Sequence, residues 1–192
     1  MKRLTVLVLV TVLVMACGQK AEQKPAPQTN LDTPSQPATS AKQPPPRPAF
    51  RQTDARVWVD AVTVAKGAKG SFKVHYYGVE PVRAMVIPLT YPVGMKIDSV
   101  SYVGSMVDYI ATRPVRIDNQ SRVVLMTSIP TTEPDIPAKE GVFATVFFSL
   151  GPDAVSGPIE EGFVPPGNYL TYVDTTSNLA EPQFEPGKVT IQ

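Results

Sequence analysis

The sequence predicts an all-β domain in residues 51–192, a two-sheet antiparallel sandwich of about nine or ten strands. Short segments rich in Val, Ile, Tyr and Phe alternate between apolar and polar positions, which is typical of strands that bury one face. Gly, Pro, Asn and Asp separate these segments. No window keeps a 3.6-residue apolar period, so we expect at most one helical turn, near residues 105–109.

Residues 1–16 have the features of an export signal. Lys2 and Arg3 give a positive start, and residues 4–14 are almost entirely apolar. This run suits the apolar core of a signal peptide and is too short to span a bilayer as a helix. We therefore expect a signal peptide that is removed from the mature protein.

The only cysteine, Cys17, follows directly on this signal. It has no partner for an intramolecular disulfide, and a leftover cysteine in an exported protein calls for another role. The stretch from Val14 to Cys17, Val-Met-Ala-Cys, resembles the lipobox of bacterial lipoproteins. The resemblance implies a diacylglycerol on the Cys17 sulfur and a membrane anchor, and Gly18 in place of Asp implies the outer membrane of the cell envelope. An ordinary secretory signal with a stray cysteine is the alternative.

Residues 17–50 are predicted to be a disordered linker that carries the lipidated cysteine. Eight of the 33 residues from Gly18 to Phe50 are proline, and most of the others are polar or small. Such a segment cannot bury a core, so we expect a flexible tether with polyproline II character. As a coil it spans roughly 30 Å, and fully extended it approaches about 100 Å. A docking motif for a proline-reading partner stays open.

Ten segments of the domain are predicted strands because each is β-branched or aromatic and bounded by turn residues. They are residues 56–65, 71–77, 82–91, 96–103, 109–117, 122–127, 142–150, 162–164, 169–173 and 188–191. Turns are expected at 65–70 and 118–121, the second as a hairpin connection. Pro88 interrupts an otherwise good strand, which predicts an edge position or a bulge.

The strand 71–77 separates apolar from polar side chains. Its apolar face consists of Phe72, Val74 and Tyr76. Its other face consists of Lys73, His75 and Tyr77, which we expect to be exposed because alternate side chains point to opposite sides of a strand. These three are the candidate binding residues. The same alternation predicts Val57, Val59 and Ala61 on one side of the first strand and allows Thr63 there as well.

The charge of the domain argues against nucleic acid as a partner. Residues 51–192 hold 12 Lys and Arg against 15 Asp and Glu, a net charge of about −3, whereas the whole chain carries +1. Basic residues form no run, so we expect no basic patch and no nucleic-acid binding.

Catalytic groups are sparse, so we expect no enzyme and no catalytic residue. His75 is the only histidine, no Gly-x-Ser-x-Gly elbow is present, and zinc sites need several His or Cys ligands. Glu160 and Glu161 are adjacent and point to opposite faces of a strand, so they cannot act as a facing pair. A dispersed carboxylate pair stays open, as does a structural calcium on loop carboxylates. No other cofactor is expected.

Seven tyrosines and Trp58 could stack on sugars or anchor a protein interface. We expect most of them in the core, including Tyr102, which points to the same side of its strand as Val100. Tyr77 is the better surface candidate because it lies on the same face as Lys73 and His75.

Ordered pieces of the whole domain resemble the bacterial cohesin-like β-sandwich, whose fold is similar to that of some carbohydrate-binding modules. They are residues 57–62, 66–70, 72–76, 87–91, 97–105, 142–148, 163–166, 173–175 and 186–191, and they cover about residues 56–192. The resemblance implies a jelly roll that binds a dockerin-like protein through one sheet face. The paired calcium loops of a dockerin itself are absent from the sequence.

Together these observations predict a membrane-anchored lipoprotein that displays a non-catalytic protein-binding module for a dockerin-like or other envelope partner. The alternatives are a carbohydrate-binding module that uses Tyr77 on an envelope polysaccharide, and a structural envelope lipoprotein.

Overall fold

A computed structural model describes residues 47–192, so the predicted signal peptide, Cys17 and most of the linker lie outside the described residues. Twelve strands form: β1 (Arg51–Val59), β2 (Val62–Val64), β3 (Lys69–Tyr77), β4 (Val82–Thr90), β5 (Met95–Ser101), β6 (Val115–Asp118), β7 (Val123–Ser128), β8 (Glu140–Leu150), β9 (Gly157–Glu161), β10 (Thr171–Asp174), β11 (Leu179–Glu185) and β12 (Gly187–Ile191). Within the described residues, no helix is long and apolar enough to cross a membrane.

The strands form two layers around one core. In the first layer, β4 lies between β7 on one side and the short strands β9 and β10 on the other, and β6 pairs with β7. The second layer has the order β11-β1-β3-β8-β5, and the pairing of β10 with β11 joins the two layers. Most ladders are antiparallel as predicted, but β1–β11 and β2–β12 are parallel.

Alternation along the strands fills the core. Phe72, Val74 and Tyr76 of β3 are at most 2% exposed, as their parity predicted. The second layer adds Phe148 and Val146 of β8. The first layer adds Met85, Ile87 and Leu89 of β4 with Val124 and Met126 of β7, all fully buried. Four of the eight polar-tipped aromatics are buried, namely Tyr76, Tyr91, Tyr102 and Tyr172.

The first predicted strand divides after Val59, so the expectation that Ala61 lies inward is wrong. Ala61 is exposed because the chain leaves β3 there and pairs instead with β12. The strands that pair with this segment divide as well: β11 pairs with β1, and β12 pairs with β2. Gly187 is required at this junction, since a Cβ there would lie 2.8 Å from the carbonyl oxygen of Asp60.

Pro88 lies in a strand with partners on both sides, so the predicted edge position or bulge is wrong. On one side of β4, β9 pairs only from Leu89 onwards and β10 only up to Val86. Pro88 faces the gap between these two short strands, and its carbonyl accepts the N–H of Gly162 there at 2.9 Å. A backbone N–H at this position would point into the same gap between β9 and β10. The proline therefore removes no hydrogen bond from the ladder.

The predicted strand 109–117 is wrong except at its end, where β6 forms. Residues 103–109 form turns and a bend in place of both a strand and the expected helical turn. Side chains replace the missing ladder bonds: the Glu133 carboxylate accepts the N–H of Ala111 at 2.9 Å, and Arg113 donates to the Asp108 carbonyl at 2.8 Å. The N–H groups of Thr131 and Ala111 lower the pKa of Glu133 to about 2.

Two further predictions fail near the C-terminus. The strand predicted at 162–164 is displaced to β9, and β11 was not predicted at all. Pro182 lies within β11, and it is tolerated because the β1–β11 register is irregular there, with residues 53–55 opposite this one proline.

Asp174 organises the hairpin that joins the layers. Its carboxylate accepts the N–H groups of Thr176 at 2.8 Å and Asn178 at 2.9 Å, and the hydroxyl of Thr176 at 2.7 Å. Arg51 of β1 also donates to it, at 3.0 Å. The hydrogen bonds from Asn178 and Thr176, that from Asn178 foremost, lower the pKa of Asp174 to about 2. The turn between β10 and β11 therefore depends on one ionised carboxylate.

The variant Asp174→Ala is expected to lower the melting temperature by several degrees at pH 7, because its donors lose their acceptor. The folded-state pKa of about 2 lies below the unfolded value. The carboxylate therefore stabilises the fold fully above about pH 4, and this contribution is lost as the pH falls towards 2. Calorimetry of both proteins from pH 7 to pH 2 should show the difference shrinking below about pH 4. A difference that stays constant over this range would contradict the assignment.

Candidate functional site

The sandwich leaves two outer faces with different chemistry. The outward side chains of β11, β1, β3, β8 and β5 form one, which we call the β3 face. The outward side chains of β9, β4, β7 and β6, with the turn between β6 and β7, form the other, which we call the hairpin face.

The three predicted binding residues lie together on the β3 face. Lys73 is exposed, His75 is half-buried and Tyr77 is 37% exposed, whereas their neighbours Phe72, Val74 and Tyr76 point into the core. The predicted alternation of β3 is therefore confirmed. A binding role for the three remains a prediction.

Neighbouring strands supply partners to these residues. Trp58 of β1 lies opposite His75 and stacks on its ring, with centroids 5.0 Å apart and planes 5° from parallel. The Nε2 atom of His75 lies 2.9 Å from Oδ1 of Asp60. The Arg56 guanidinium lies 5.9 Å from the ring centroid of Tyr77. Each ring thus has one face occupied by another side chain of the protein, which weakens the interpretation of this group as an aromatic strip for sugars.

A shallow depression of about 230 Å³ adjoins this group, lined by Arg56, Trp58, Tyr77, Glu140 and Glu185. Among residues 47–192, the side chain that hydrogen-bonds to His75 is that of Asp60, and no hydroxyl or thiol does so. A hydroxyl or thiol nucleophile that is activated by a histidine makes such a contact. In the same part of the chain, no group of three or more His, Cys, Asp and Glu side chains is placed to hold a metal ion.

The expectation of no basic patch is wrong in one place. The pairing of β3, β8 and β5 brings the exposed lysines Lys69, Lys73 and Lys96 onto one part of the β3 face. Lys69 and Lys73 share β3, but Lys96 of β5 is distant from them in sequence, so no run of basic residues marks the three.

The hairpin face has an apolar and hydroxyl-bearing centre with charges at its margin. Its centre consists of Val86 and Thr90 of β4 with Val123, Leu125 and Thr127 of β7, placed in register by the β4–β7 ladder. Its charged margin consists of Arg116, Asp118, Arg122 and Glu160. An apolar centre within a polar rim is the usual anatomy of a protein–protein interface.

Side-chain hydrogen bonds fix the turn between β6 and β7. Oδ1 of Asp118 accepts the N–H groups of Gln120 and Ser121, each at 3.0 Å, and the bond from Ser121 is the main cause that lowers the pKa of Asp118. Asn119 ties the turn to β5, accepting the N–H of Ile97 at 2.8 Å and donating to its carbonyl at 3.0 Å. The predicted hairpin at 118–121 is therefore confirmed, and this turn is held in place by the opposite layer.

Two depressions flank this turn and meet at Ser121. One, of about 220 Å³, is lined by Arg116, Asp118, Ser121, Val123, Phe163, Val164 and Pro165. The other, of about 270 Å³, is lined by Thr90, Tyr91, Pro92, Ser121, Arg122, Pro158 and Glu160. The hairpin face therefore has two depressions beside a turn that side-chain hydrogen bonds hold in place.

No protein-family model matches the chain, and no curated protein matches it either. Solved structures do match. A chain from the Coh-OlpA–Doc918 type I cohesin–dockerin complex of Clostridium thermocellum is 16% identical, with a TM-score of 0.62 over 73% of this chain and 100% of that chain. The sixth cohesin of Acetivibrio cellulolyticus scaffoldin B, solved with a Cel5 dockerin, is 14% identical, with a TM-score of 0.61 over 73% and 100%.

A third similar structure is the non-cellulosomal cohesin from the hyperthermophilic archaeon Archaeoglobus fulgidus. It is 10% identical, with a TM-score of 0.57 over 73% of this chain and 92% of that chain. Residues 47–192 therefore have the all-β jelly-roll sandwich fold of cohesin domains, which confirms the predicted fold class.

Proposed function

We propose that this chain is a non-catalytic protein-binding module that holds its partner on the hairpin face. The observation that carries the proposal is the fixed turn at Ser121 between two depressions, beside the apolar centre that includes Leu125. A rigid surface loses little conformational entropy when a partner binds, which favours affinity.

The comparisons support the kind of partner that we propose. Two of the solved structures with this fold come from complexes of a cohesin with a dockerin. We extend that kind of partner to this chain as part of the proposal: a dockerin-like module or another protein of the cell envelope. The proposal assigns no catalytic residue.

We further propose that the module is held on the outer membrane by lipid on Cys17. The support is the stretch Val-Met-Ala-Cys from Val14 to Cys17 after an apolar signal, together with the absence of a second cysteine. Each buried methylene contributes roughly 0.8 kcal/mol, and one acyl chain alone binds only marginally, so two or more chains would give a lasting anchor.

Substitution of Leu125 by Asp should abolish partner capture, because it buries a charge at the centre of the hairpin face. Arg116→Glu, at the exposed margin, should weaken capture roughly tenfold without affecting the fold. The measurement is cross-linking and quantitative mass spectrometry on native envelopes, followed by calorimetric titration with the captured protein or with a recombinant dockerin.

Leu179→Asp is the matched control, since Leu179 of β11 lies on the opposite face and is 53% exposed. The proposal requires one protein that wild type and Leu179→Asp both capture and that Leu125→Asp does not. Equal capture by all three would contradict it. Circular dichroism of each variant establishes that the domain is folded.

Cys17→Ser is expected to move the protein from the membrane fraction to the soluble fraction, because the acceptor of the lipid is removed. Mass spectrometry of the natural N-terminal peptide should show an acylated Cys17. An unmodified cysteine, or a Cys17→Ser protein that stays with the membrane, would contradict the anchor and leave the proposal for the hairpin face untouched.

A further inference from the structure

Nine outward side chains at the β5 end of the β3 face form three rows, which we call the lysine grid; the register of β5 shifts within it, between Ile97 and Ser99. The β3–β8 and β8–β5 ladders set three rows across the three strands. The rows are Lys69, Ser149 and Lys96; Ser71, Phe147 and Ser99; and Lys73, Thr145 and Ser101. Phe147 therefore stands at the centre, with lysines at three of the four corners.

The grid is a cationic surface on a domain that is otherwise acidic. Lys69, Lys73 and Lys96 are exposed, and within residues 47–192 none of them takes part in an ion pair. Two carboxylates adjoin the grid. Asp98 accepts the Ser149 hydroxyl at 3.1 Å, and Asp60 lies opposite Lys73, to whose carbonyl its N–H donates at 3.1 Å. The net charge of the patch is positive, although the domain as a whole carries about −3. This contrast favours an anionic ligand.

The spacing of the charges suits an extended ligand. Strands lie about 4.8 Å apart and rise about 3.3 Å per residue, so Lys69 and Lys96 stand about 10 Å apart and Lys69 and Lys73 about 13 Å apart at their backbones. The surface between them is an outer sheet face, and none of the three lysines lines a depression described above. A chain of repeating anionic units can meet several lysines at once.

The side chains between the lysines are of the types that bind sugars, namely an aromatic ring and several hydroxyl groups. Phe147 is 41% exposed and, among residues 47–192, is in no aromatic pair and under no guanidinium. An open aromatic ring packs against the apolar C–H face of a sugar. The serine and threonine hydroxyls around it both donate and accept hydrogen bonds, as sugar hydroxyls do. Ammonium groups form charge-assisted hydrogen bonds to carboxylates.

We propose that the lysine grid binds an acidic polysaccharide, a chain of sugars that carry carboxylates. Phe147 stacks on a sugar ring, the hydroxyls of the grid bond to the sugar hydroxyls, and the three lysines pair with carboxylates along the chain. This site is independent of the hairpin face, since it lies on the opposite layer of the sandwich.

Affinity electrophoresis of the full-length chain in non-ionic detergent tests this proposal. The probe is polygalacturonate in the gel, and its methyl ester, which has the same backbone without the charges, is the control polymer. Wild type should be retarded by polygalacturonate and not by the ester. The triple variant K69Q/K73Q/K96Q should bind roughly 10- to 100-fold more weakly, as expected for three exposed ion pairs. Phe147→Ala should also bind more weakly.

The triple variant K66Q/K139Q/K188Q is the matched control, because it removes three exposed lysines outside the grid and has the same net charge. It should bind like wild type. Equal losses in both triple variants, equal retardation by the ester, or no retardation of wild type would overturn the proposal.

A non-lipidated Cys17→Ser chain provides a second experiment, which distinguishes a polysaccharide from a lipid surface. If it sediments with phosphatidylglycerol vesicles and ignores polygalacturonate, the grid recognises a lipid surface and the proposal fails.

Discussion

The shared core between the two layers is the constraint on which the rest of the structure depends. Every second side chain of β3, β4, β7 and β8 must be buried in it, because a strand shifted by one residue would expose its whole apolar set. The buried set includes Phe72 and Phe148 in one layer and Ile87 and Met126 in the other. Once these are inside, the residues between them must point outward. The hairpin face and the lysine grid are therefore consequences of the packing of the core.

The exposed face of a strand could be predicted where every second side chain is clearly polar. In β3, Lys73 and His75 alternate with Val74 and Tyr76, so the exposed face could be assigned directly. Trp58 could have been added by the same signal, since it alternates with the buried Val57 and Val59. The turn at 118–121 was also predictable, because Asp118 and Asn119 favour a tight connection.

The remaining features depend on contacts between distant segments. In β7, Leu125 and Met126 are both apolar, so alternation could not tell which one points outward. The region before β6 has the residue types of a strand but forms turns. Glu133 and Arg113 hydrogen-bond to its backbone, and sequence patterns do not reveal such contacts. The lysine grid was missed for the same reason: Lys96 joins Lys69 and Lys73 only through the register of β8 between them.

The two outer faces give the domain two different surfaces on opposite layers. The hairpin face is apolar at its centre and fixed by Asn119, as suits a protein partner, whereas the lysine grid is cationic and open. A ligand on one face leaves the other face accessible, because the two faces lie on opposite layers. Two weak contacts linked through one domain can give a stronger attachment than either contact alone.

Site-resolved thiol labelling tests the burial pattern most directly. In separate variants, Leu125→Cys and Met126→Cys place a thiol at adjacent positions of β7, and peptide mass spectrometry follows the reaction of each with a water-soluble maleimide. The account predicts rapid labelling at position 125 and slow labelling at 126 that becomes fast only on unfolding. Equal rates in the folded protein, or faster labelling at 126, would contradict it.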